Sequence, residues 1–224
     1  MPRESTATRQ ARATQLLAEL RRVYPDAHCE LNFTNPLELL VATILSAQAN
    51  DKQVNIVTAD LFRKYRSTQA FADADPAILE NDVKRIGLYR NKARNIRACC
   101  QKLVAHHGGK VPTTMAELTA LDGVGRKTAN VVLGNAFNLN VGVVVDTHVA
   151  RLAGRLGLSS AKTPEKIEAD LMRLVPASDW TWFSHLLIWH GRRRCMARNP
   201  DCGACEVRAL CPWKEKPVPP GQKA

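Results

Sequence analysis

Between two segments of helical pattern, the chain reads Leu121-Asp122-Gly123-Val124-Gly125-Arg126-Lys127. Two glycines that lie two positions apart let the chain turn sharply, adopt positive φ and bring its backbone close to a ligand. The helix that follows would direct its first N–H groups towards that ligand, and a phosphate is the natural occupant of such a position. By itself, Gly-Val-Gly is equally typical of an ordinary turn between helices. The flanking helices and the basic pair Arg126 and Lys127 favour a phosphate-binding hairpin.

Helical patterns extend from this turn in both directions. Asn35 followed by Pro36 is typical of a helix start, because Asn caps a helix and Pro suits its first position. Apolar residues then recur at helical spacing, at Leu37, Leu40, Val41, Ile44 and Leu45. Asp75-Pro76 and Thr163-Pro164 repeat the start signal, and Thr114 with Glu117 forms a capping box.

Further helices are expected over residues 9–23, 51–65, 90–105, 126–136, 147–156 and 179–190. Only Val141 to Val145 is typical of a strand, with a buried connector as the alternative. The fold class is therefore predicted to be all-α.

The charge balance of the chain is strongly basic. Its 224 residues include 32 Lys and Arg against 21 Asp and Glu, a net charge of +11. Such an excess is typical of a polyanionic partner, either nucleic acid or an acidic membrane surface, although solubility alone also accounts for it. No run approaches the roughly 18 apolar residues of a membrane span, and residues 1–10 lack the apolar run of a signal peptide. We therefore expect a soluble cytoplasmic protein, associated with the nucleoid if the source is bacterial.

A lysine and an aspartate are the candidate catalytic residues. Lys127 lies beside Arg126 in the first turn of its predicted helix, where the positive end of the helix dipole disfavours a cation and favours the neutral amine. The neutral amine is the form that Schiff-base chemistry requires. Asp146 follows nineteen residues later, in Val145-Asp146-Thr147-His148. The residue types alone favour a simpler interpretation, in which Lys127 is solvated and Asp146 caps a helix.

Four of the seven cysteines, Cys195, Cys202, Cys205 and Cys211, are crowded into 17 residues. Four thiols in so short a segment predict a bound metal or cluster. Zinc is the main alternative, but zinc ribbons use two Cys-x2-Cys pairs, and only one pair here has that spacing. Cys211 is followed by Pro212, as in ferredoxin-type cluster sequences, so an iron–sulfur centre is favoured. The remaining cysteines, Cys29, Cys99 and Cys100, lie in apolar helical contexts and are expected to behave as small hydrophobic residues.

Taken together, these motifs resemble the endonuclease III family of helix-hairpin-helix DNA glycosylases, from about Ala11 to Trp213. The matching segments, in order, are Ile44–Asp51, Ile86–Tyr89, the hairpin through Val132, Val145–His148, His190–Arg192 and the cysteine loop. Their joint order and spacing make the resemblance specific.

The resemblance implies a role for each candidate site residue. Lys127 would be the nucleophile and Asp146 its essential carboxylate partner. Gln48 would enter the DNA duplex where the damaged nucleotide leaves it, and Leu88 would wedge between the bases opposite. Gly123, Val124, Gly125 and Arg126 would form the DNA-binding hairpin. Cys195, Cys202, Cys205 and Cys211 would hold a [4Fe–4S] cluster.

The family fold implies two helical domains with DNA bound in the cleft between them. Residues 29–139 would form a six-helix barrel that contains the hairpin. The N-terminal helix in residues 1–28 would join residues 140–224 to form the iron–sulfur cluster domain. We expect the protein to act as a monomer on double-stranded DNA that contains damaged bases or abasic sites, without a membrane partner.

Two local features bear on DNA affinity. The family hairpin usually has proline where this chain has Asp122, and a carboxylate there should weaken phosphate contact unless it points away or caps the turn. Arg192, Arg193 and Arg194 form a basic run beside the cysteine loop, for which phosphate contacts are favoured over a solvated helix end.

The resemblance favours a bifunctional DNA glycosylase and AP lyase that excises oxidised pyrimidines. The alternatives are a monofunctional mismatch or adenine glycosylase, whose relatives lack lysine at position 127, and a non-catalytic helix-hairpin-helix DNA-binding protein. The second alternative gives no reason for Lys127, Asp146 and Gln48 to occur together.

Overall fold

The computed structural model describes residues 4–213, which form helices and connecting loops without a β-strand. The α-helices of this part of the chain are α1 (Thr6–Val23), α2 (Pro36–Ser46), α3 (Asp51–Lys64), α4 (Thr68–Ala72), α5 (Pro76–Val83), α6 (Tyr89–His107), α7 (Met115–Thr119), α8 (Arg126–Ala136), α9 (Thr147–Arg155), α10 (Pro164–Leu174) and α11 (Trp180–Arg193). The all-α prediction is confirmed. None of these helices is both long and apolar enough to cross a membrane.

The helices form two compact units, each with its own core. The central unit is Cys29–Leu139, and the terminal unit comprises the chain up to His28 and from Asn140 onward. The central unit contains α2 to α8, and the terminal unit contains α1 and α9 to α11.

Helix α2 is the core helix of the central unit. Residues 39–45 are all buried, and α3, α6 and α8 pack against this helix. Its start follows the predicted signal, since the Asn35 side chain accepts from the Glu38 N–H at 3.0 Å and Pro36 occupies the first turn. The apolar helix α2 therefore anchors α8, which carries the hairpin residues, and α6, which begins just after Leu88.

The terminal unit buries residues of α1, α9, α10 and α11 in a second core, and α9 packs closely on α11. The segment Val143 to Val145 is also buried there, but as a connector. A side chain takes the place of a strand partner here, because the Val144 N–H donates a hydrogen bond to Ser184 Oγ at 2.9 Å. The strand prediction for residues 141–145 is thus wrong, and the alternative of a buried connector is confirmed.

Most predicted helices are present within a few residues of their expected bounds. Two details differ. Thr163 precedes α10 without a capping hydrogen bond from its side chain, although Pro164 occupies the first turn. Helix α4 was not predicted, because only five residues follow its Ser67 cap and they cannot show a helical period.

Candidate active site and metal centre

The predicted hairpin connects α7 to α8. Thr114 caps α7, and the Val124 N–H donates to the Leu121 carbonyl at 3.3 Å, which closes the turn. Gly123 has φ of 74°, and a Cβ atom there would lie 2.9 Å from Asn95 Cβ. The turn therefore requires glycine at position 123 for both its conformation and its packing.

Gly125 has a different role, because it is the N-cap of α8. Its φ of −90° is open to any residue, and a Cβ atom added there meets nothing within 4 Å. Gly125 supplies no side chain to cap α8, so no capping side chain covers the N–H groups of the first helical turn. Both Arg126 and Lys127 have exposed side chains in this turn.

Asp122 is paired with a lysine of α6. Its Oδ2 lies 2.9 Å from Lys102 Nζ, in a direction too poor for a hydrogen bond, while Lys102 donates to the Ala120 carbonyl at 3.1 Å. The nearby ammonium offsets the charge of the carboxylate at the hairpin. The pair is half exposed, so it contributes little to stability.

Asp146 is the N-cap of α9. Its Oδ1 accepts from the Val149 N–H at 2.8 Å, which fixes the orientation of a half-buried carboxylate. This capping role was one of the two interpretations of the sequence, and the bond occupies only one carboxylate oxygen.

An arginine that the sequence patterns did not reveal links the start of α9 to the cysteine loop. Arg151 donates to the carbonyls of Gly191 at 2.9 Å and Cys195 at 3.1 Å, and its guanidinium lies 3.1 Å from His148 Nδ1. Gly191 permits this approach, since a Cβ atom there would lie 3.1 Å from His148 Cβ. Burial lowers the pKa of His148, so the neutral ring is favoured. Only the long-range contacts of Arg151 identify it, because its sequence context is that of any arginine on a helix.

Gln48 and Leu88 are both exposed, and both have a left-handed backbone conformation. Gln48 has φ of 56° in the loop between α2 and α3, and Leu88 has φ of 58° directly before α6, with 60% of its surface exposed. The other non-glycine residues with positive φ in the described chain are Asn138 and Asn199, a residue type that tolerates this conformation. A strained and exposed leucine is unusual, and such strain is concentrated at functional sites.

Within the basic run Arg192–Arg194, Arg193 and Arg194 make different kinds of contact. Arg193 is exposed and stacks on Trp189, with its guanidinium carbon 3.6 Å from the ring centroid. Arg194 instead forms ion pairs with Asp201 at 2.5 Å and Glu206 at 2.8 Å, and these carboxylates raise its pKa. The ion pairs of Arg194 weigh against its predicted phosphate contact and favour a role in holding the cysteine loop.

The four predicted ligands, Cys195, Cys202, Cys205 and Cys211, line one cavity of the terminal unit. Burial, the largest cause, and the neighbouring cysteines together raise the pKa of Cys205 to about 11, so thiolates in this cavity would need a cationic partner. Two side chains contact the sulfur atoms of this cavity. Arg155 donates to Cys195 Sγ at 3.3 Å, and His190 Nε2 lies 3.6 Å from Cys205 Sγ.

The chemistry of this cavity fits an iron–sulfur cluster, since all four of its cysteines are thiol donors.

Comparison with protein families gives two matches. Residues 41–177 match the model of the HhH-GPD superfamily base excision DNA repair protein. Residues 195–211, which contain all four clustered cysteines, match the iron-sulfur binding domain of endonuclease III.

Individual proteins match over nearly the whole chain. Endonuclease III of Synechocystis sp. (strain PCC 6803) is 50% identical over 92% of this chain and 94% of its own length. Endonuclease III of Escherichia coli K12 is 43% identical over 92% of this chain and 97% of its own length.

Solved structures with the same fold also match most of this chain. The structure of a trapped endonuclease III–DNA covalent intermediate, an estranged-adenine complex, has a TM-score of 0.87 and 43% identity, and the match covers 91% of this chain and 95% of that one. A thermostable thymine-DNA glycosylase has a TM-score of 0.79 at 21% identity, over 91% of this chain and 96% of that one, and shares the fold alone.

Proposed function

We infer the reaction of this chain from its family: it belongs to the endonuclease III family within the HhH-GPD superfamily of base excision DNA repair proteins. It is a DNA glycosylase with AP-lyase activity that binds DNA, and its cofactor is a [4Fe–4S] cluster. The observation that carries this function is the close match to an endonuclease III trapped covalently on DNA. The roles of individual residues are our proposal.

Lys127 is the proposed nucleophile. Its exposed amine follows the hairpin directly, in the first turn of α8, where a DNA backbone bound at the helix N-terminus would come close. The neutral amine attacks C1′ of the sugar, the glycosidic bond breaks, and the base leaves with a proton. The C1′–O4′ bond of the sugar then breaks, O4′ takes up a proton to become a hydroxyl, and the lysine nitrogen forms the Schiff base with C1′. Removal of a C2′ proton then expels the 3′ phosphate by β-elimination.

Asp146 is the proposed carboxylate partner of this lysine. It stabilises the positive charge that develops on the sugar and assists the transfer of the amine proton. Its N-cap bond to the Val149 N–H supports this role, because a carboxylate with one oxygen fixed requires little reorganisation during the reaction.

Gln48 and Leu88 are proposed to fill the space that a flipped nucleotide leaves. A base inside a duplex has to leave the stack before any side chain can reach its sugar, and unstacking is costly. The exposure and left-handed backbone of both residues support this role. Oxidised pyrimidines are the proposed substrates, and Gly123, Val124, Gly125 and Arg126 the proposed phosphate-binding hairpin.

The four clustered cysteines are the proposed cluster ligands. These four cysteines would hold the cluster, which would cross-link the cysteine loop. Arg155 donates to the Cys195 sulfur, His190 contacts the Cys205 sulfur, and the ion pairs of Arg194 close the loop. Arg192 and Arg193 are proposed to contact phosphates. We also propose a cytoplasmic, monomeric protein.

Borohydride trapping tests the nucleophile. Borohydride reduces the imine to a stable amine, so the wild-type protein should become covalently attached to a duplex with an abasic site. Lys127→Ala should bind that duplex without being trapped. Arg126→Ala is the matched control, since it removes the neighbouring exposed charge, and it should be trapped normally once the DNA concentration saturates binding. Undiminished trapping of Lys127→Ala would remove Lys127 from the mechanism.

A further inference from the structure

A buried lysine lies between the two loops that carry Gln48 and Leu88. Lys92 is in the first turn of α6, and only 5% of its surface is exposed. Burial lowers the pKa of Lys92, and an ammonium group in such a place costs free energy unless it is hydrogen-bonded. The contacts of this side chain therefore need an explanation.

Lys92 is bonded to both loops. Its Nζ donates to the Leu45 carbonyl at 2.9 Å, and its backbone N–H donates to the Leu88 carbonyl at 3.2 Å. Leu45 lies in the last turn of α2, where carbonyls lack helical partners and the helix dipole is negative. A cation is favourable at that point, so Lys92 caps the end of α2 three residues before Gln48.

The same residue thus joins the strained Leu88 to the helix end that lies three residues before the strained Gln48. Leu88 lies four residues before Lys92, and its carbonyl accepts the first helical bond of α6. Gln48 follows the helix end that the Lys92 ammonium caps. An apolar side chain of similar length would pack without the cost of burying a charge, but it could not donate to the Leu45 carbonyl.

We propose that Lys92 is a positioning residue that fixes the Gln48 loop relative to Leu88, so that both side chains enter the duplex together. This inference rests on the insertion roles proposed above for Gln48 and Leu88. It predicts that Lys92 affects the rate of reaction on duplex DNA, where the flipped nucleotide leaves a gap in the base stack. It also predicts that Lys92 does not affect the chemical step at Lys127.

The test compares paired with unpaired DNA. The rate of borohydride trapping is measured on an abasic-site duplex and on the same strand without its complement. Lys92→Met keeps the length of the side chain but removes the donor, and it should lower the duplex-to-single-strand ratio of trapping rates by about 10- to 100-fold, the range expected for a small misplacement of positioning groups. Arg94→Met, which removes an exposed charge from the same helix, should leave the ratio unchanged.

A double-mutant cycle separates a positioning role from a structural one. In a Gln48→Ala/Leu88→Ala background, adding Lys92→Met should change the ratio by less than about twofold, because the residues that Lys92 positions are absent. A folded Lys92→Met protein with an unchanged ratio would overturn the proposal.

Two further results would also decide against the proposal. If Gln48→Ala/Leu88→Ala itself leaves the ratio unchanged, the insertion roles fail, and the inference about Lys92 fails with them. If Lys92→Met does not fold, Lys92→Gln provides a second, shorter side chain that cannot make the same contact. Failure of both variants to fold would show that Lys92 maintains the fold and does not act as a positioning residue.

Discussion

At the scale of single residues, Asp146 combines a structural role with the proposed catalytic one. The bond from the Val149 N–H to Asp146 Oδ1 is a normal N-cap, and many aspartates before helices do nothing else. The two roles differ in what they require, since a cap needs a side-chain oxygen and the reaction needs a negative charge.

Substitution of Asp146 should separate these roles. Asn caps helices as well as Asp does, so Asp146→Asn should unfold at the wild-type temperature, whereas Asp146→Ala should lose about 1 kcal/mol of stability. Both variants should lose catalysis, by about 100-fold or more, because neither carries the charge. Thermal unfolding and single-turnover strand cleavage measure the two effects. Wild-type cleavage by Asp146→Asn would reduce Asp146 to a helix cap.

At the scale of elements, the hairpin shows why its two glycines are not equivalent. Gly123 occupies the third position of a turn closed by the bond from the Val124 N–H to the Leu121 carbonyl, and its φ of 74° is that of a type II turn. Proline is common at the second position of such turns, where this chain has Asp122. Gly125 instead leaves the start of α8 uncovered.

The type II geometry predicts that Asp122→Pro stabilises the hairpin. Asp122→Ala is the matched control, because both variants lose the ion pair with Lys102. Proline restricts the conformations of the unfolded chain. The free energy of unfolding of Asp122→Pro should therefore be about 0.4–1 kcal/mol higher than that of Asp122→Ala. The corresponding difference in melting temperature is about 1–4 °C for a protein of this size. An equal or lower melting temperature of Asp122→Pro would show that the backbone at position 122 does not fit proline.

At the scale of the whole molecule, the net charge of +11 favours DNA but does not indicate which cations contact it. Arginines that are adjacent in the sequence differ in this respect. Arg193 is exposed on Trp189, while the guanidinium of Arg194 is held by Asp201 and Glu206.

The salt dependence of DNA binding should distinguish these arginines. Each phosphate contact that is lost flattens the plot of log affinity against log salt concentration by about 0.9. Arg193→Ala should show this change on damaged and undamaged duplexes alike, and Arg194→Ala with a wild-type iron content should keep the original slope. An unchanged slope for Arg193→Ala, or a flattened one for Arg194→Ala, would contradict the assignment.

The sequence by itself determined the features that depend on neighbours along the chain. Helix starts at Asn35, Asp75 and Thr114 were predictable because each cap bonds to a residue only three positions away. The spacing of Cys195, Cys202, Cys205 and Cys211 likewise indicated one bound centre, since a short loop keeps its thiols together. The hairpin residues and their family resemblance followed from the same kind of local pattern.

Only the tertiary structure decided the features that depend on distant partners. The burial of Val144 as a connector depends on Ser184, the contact of Lys92 depends on Leu45, and the attachment of α9 to the cysteine loop depends on Arg151 reaching Cys195. In each case the partners are about 40 or more positions apart in the sequence. A hydrogen bond between such residues leaves no periodic or spacing signal, because packing of whole helices, and not the local backbone, brings its two atoms together.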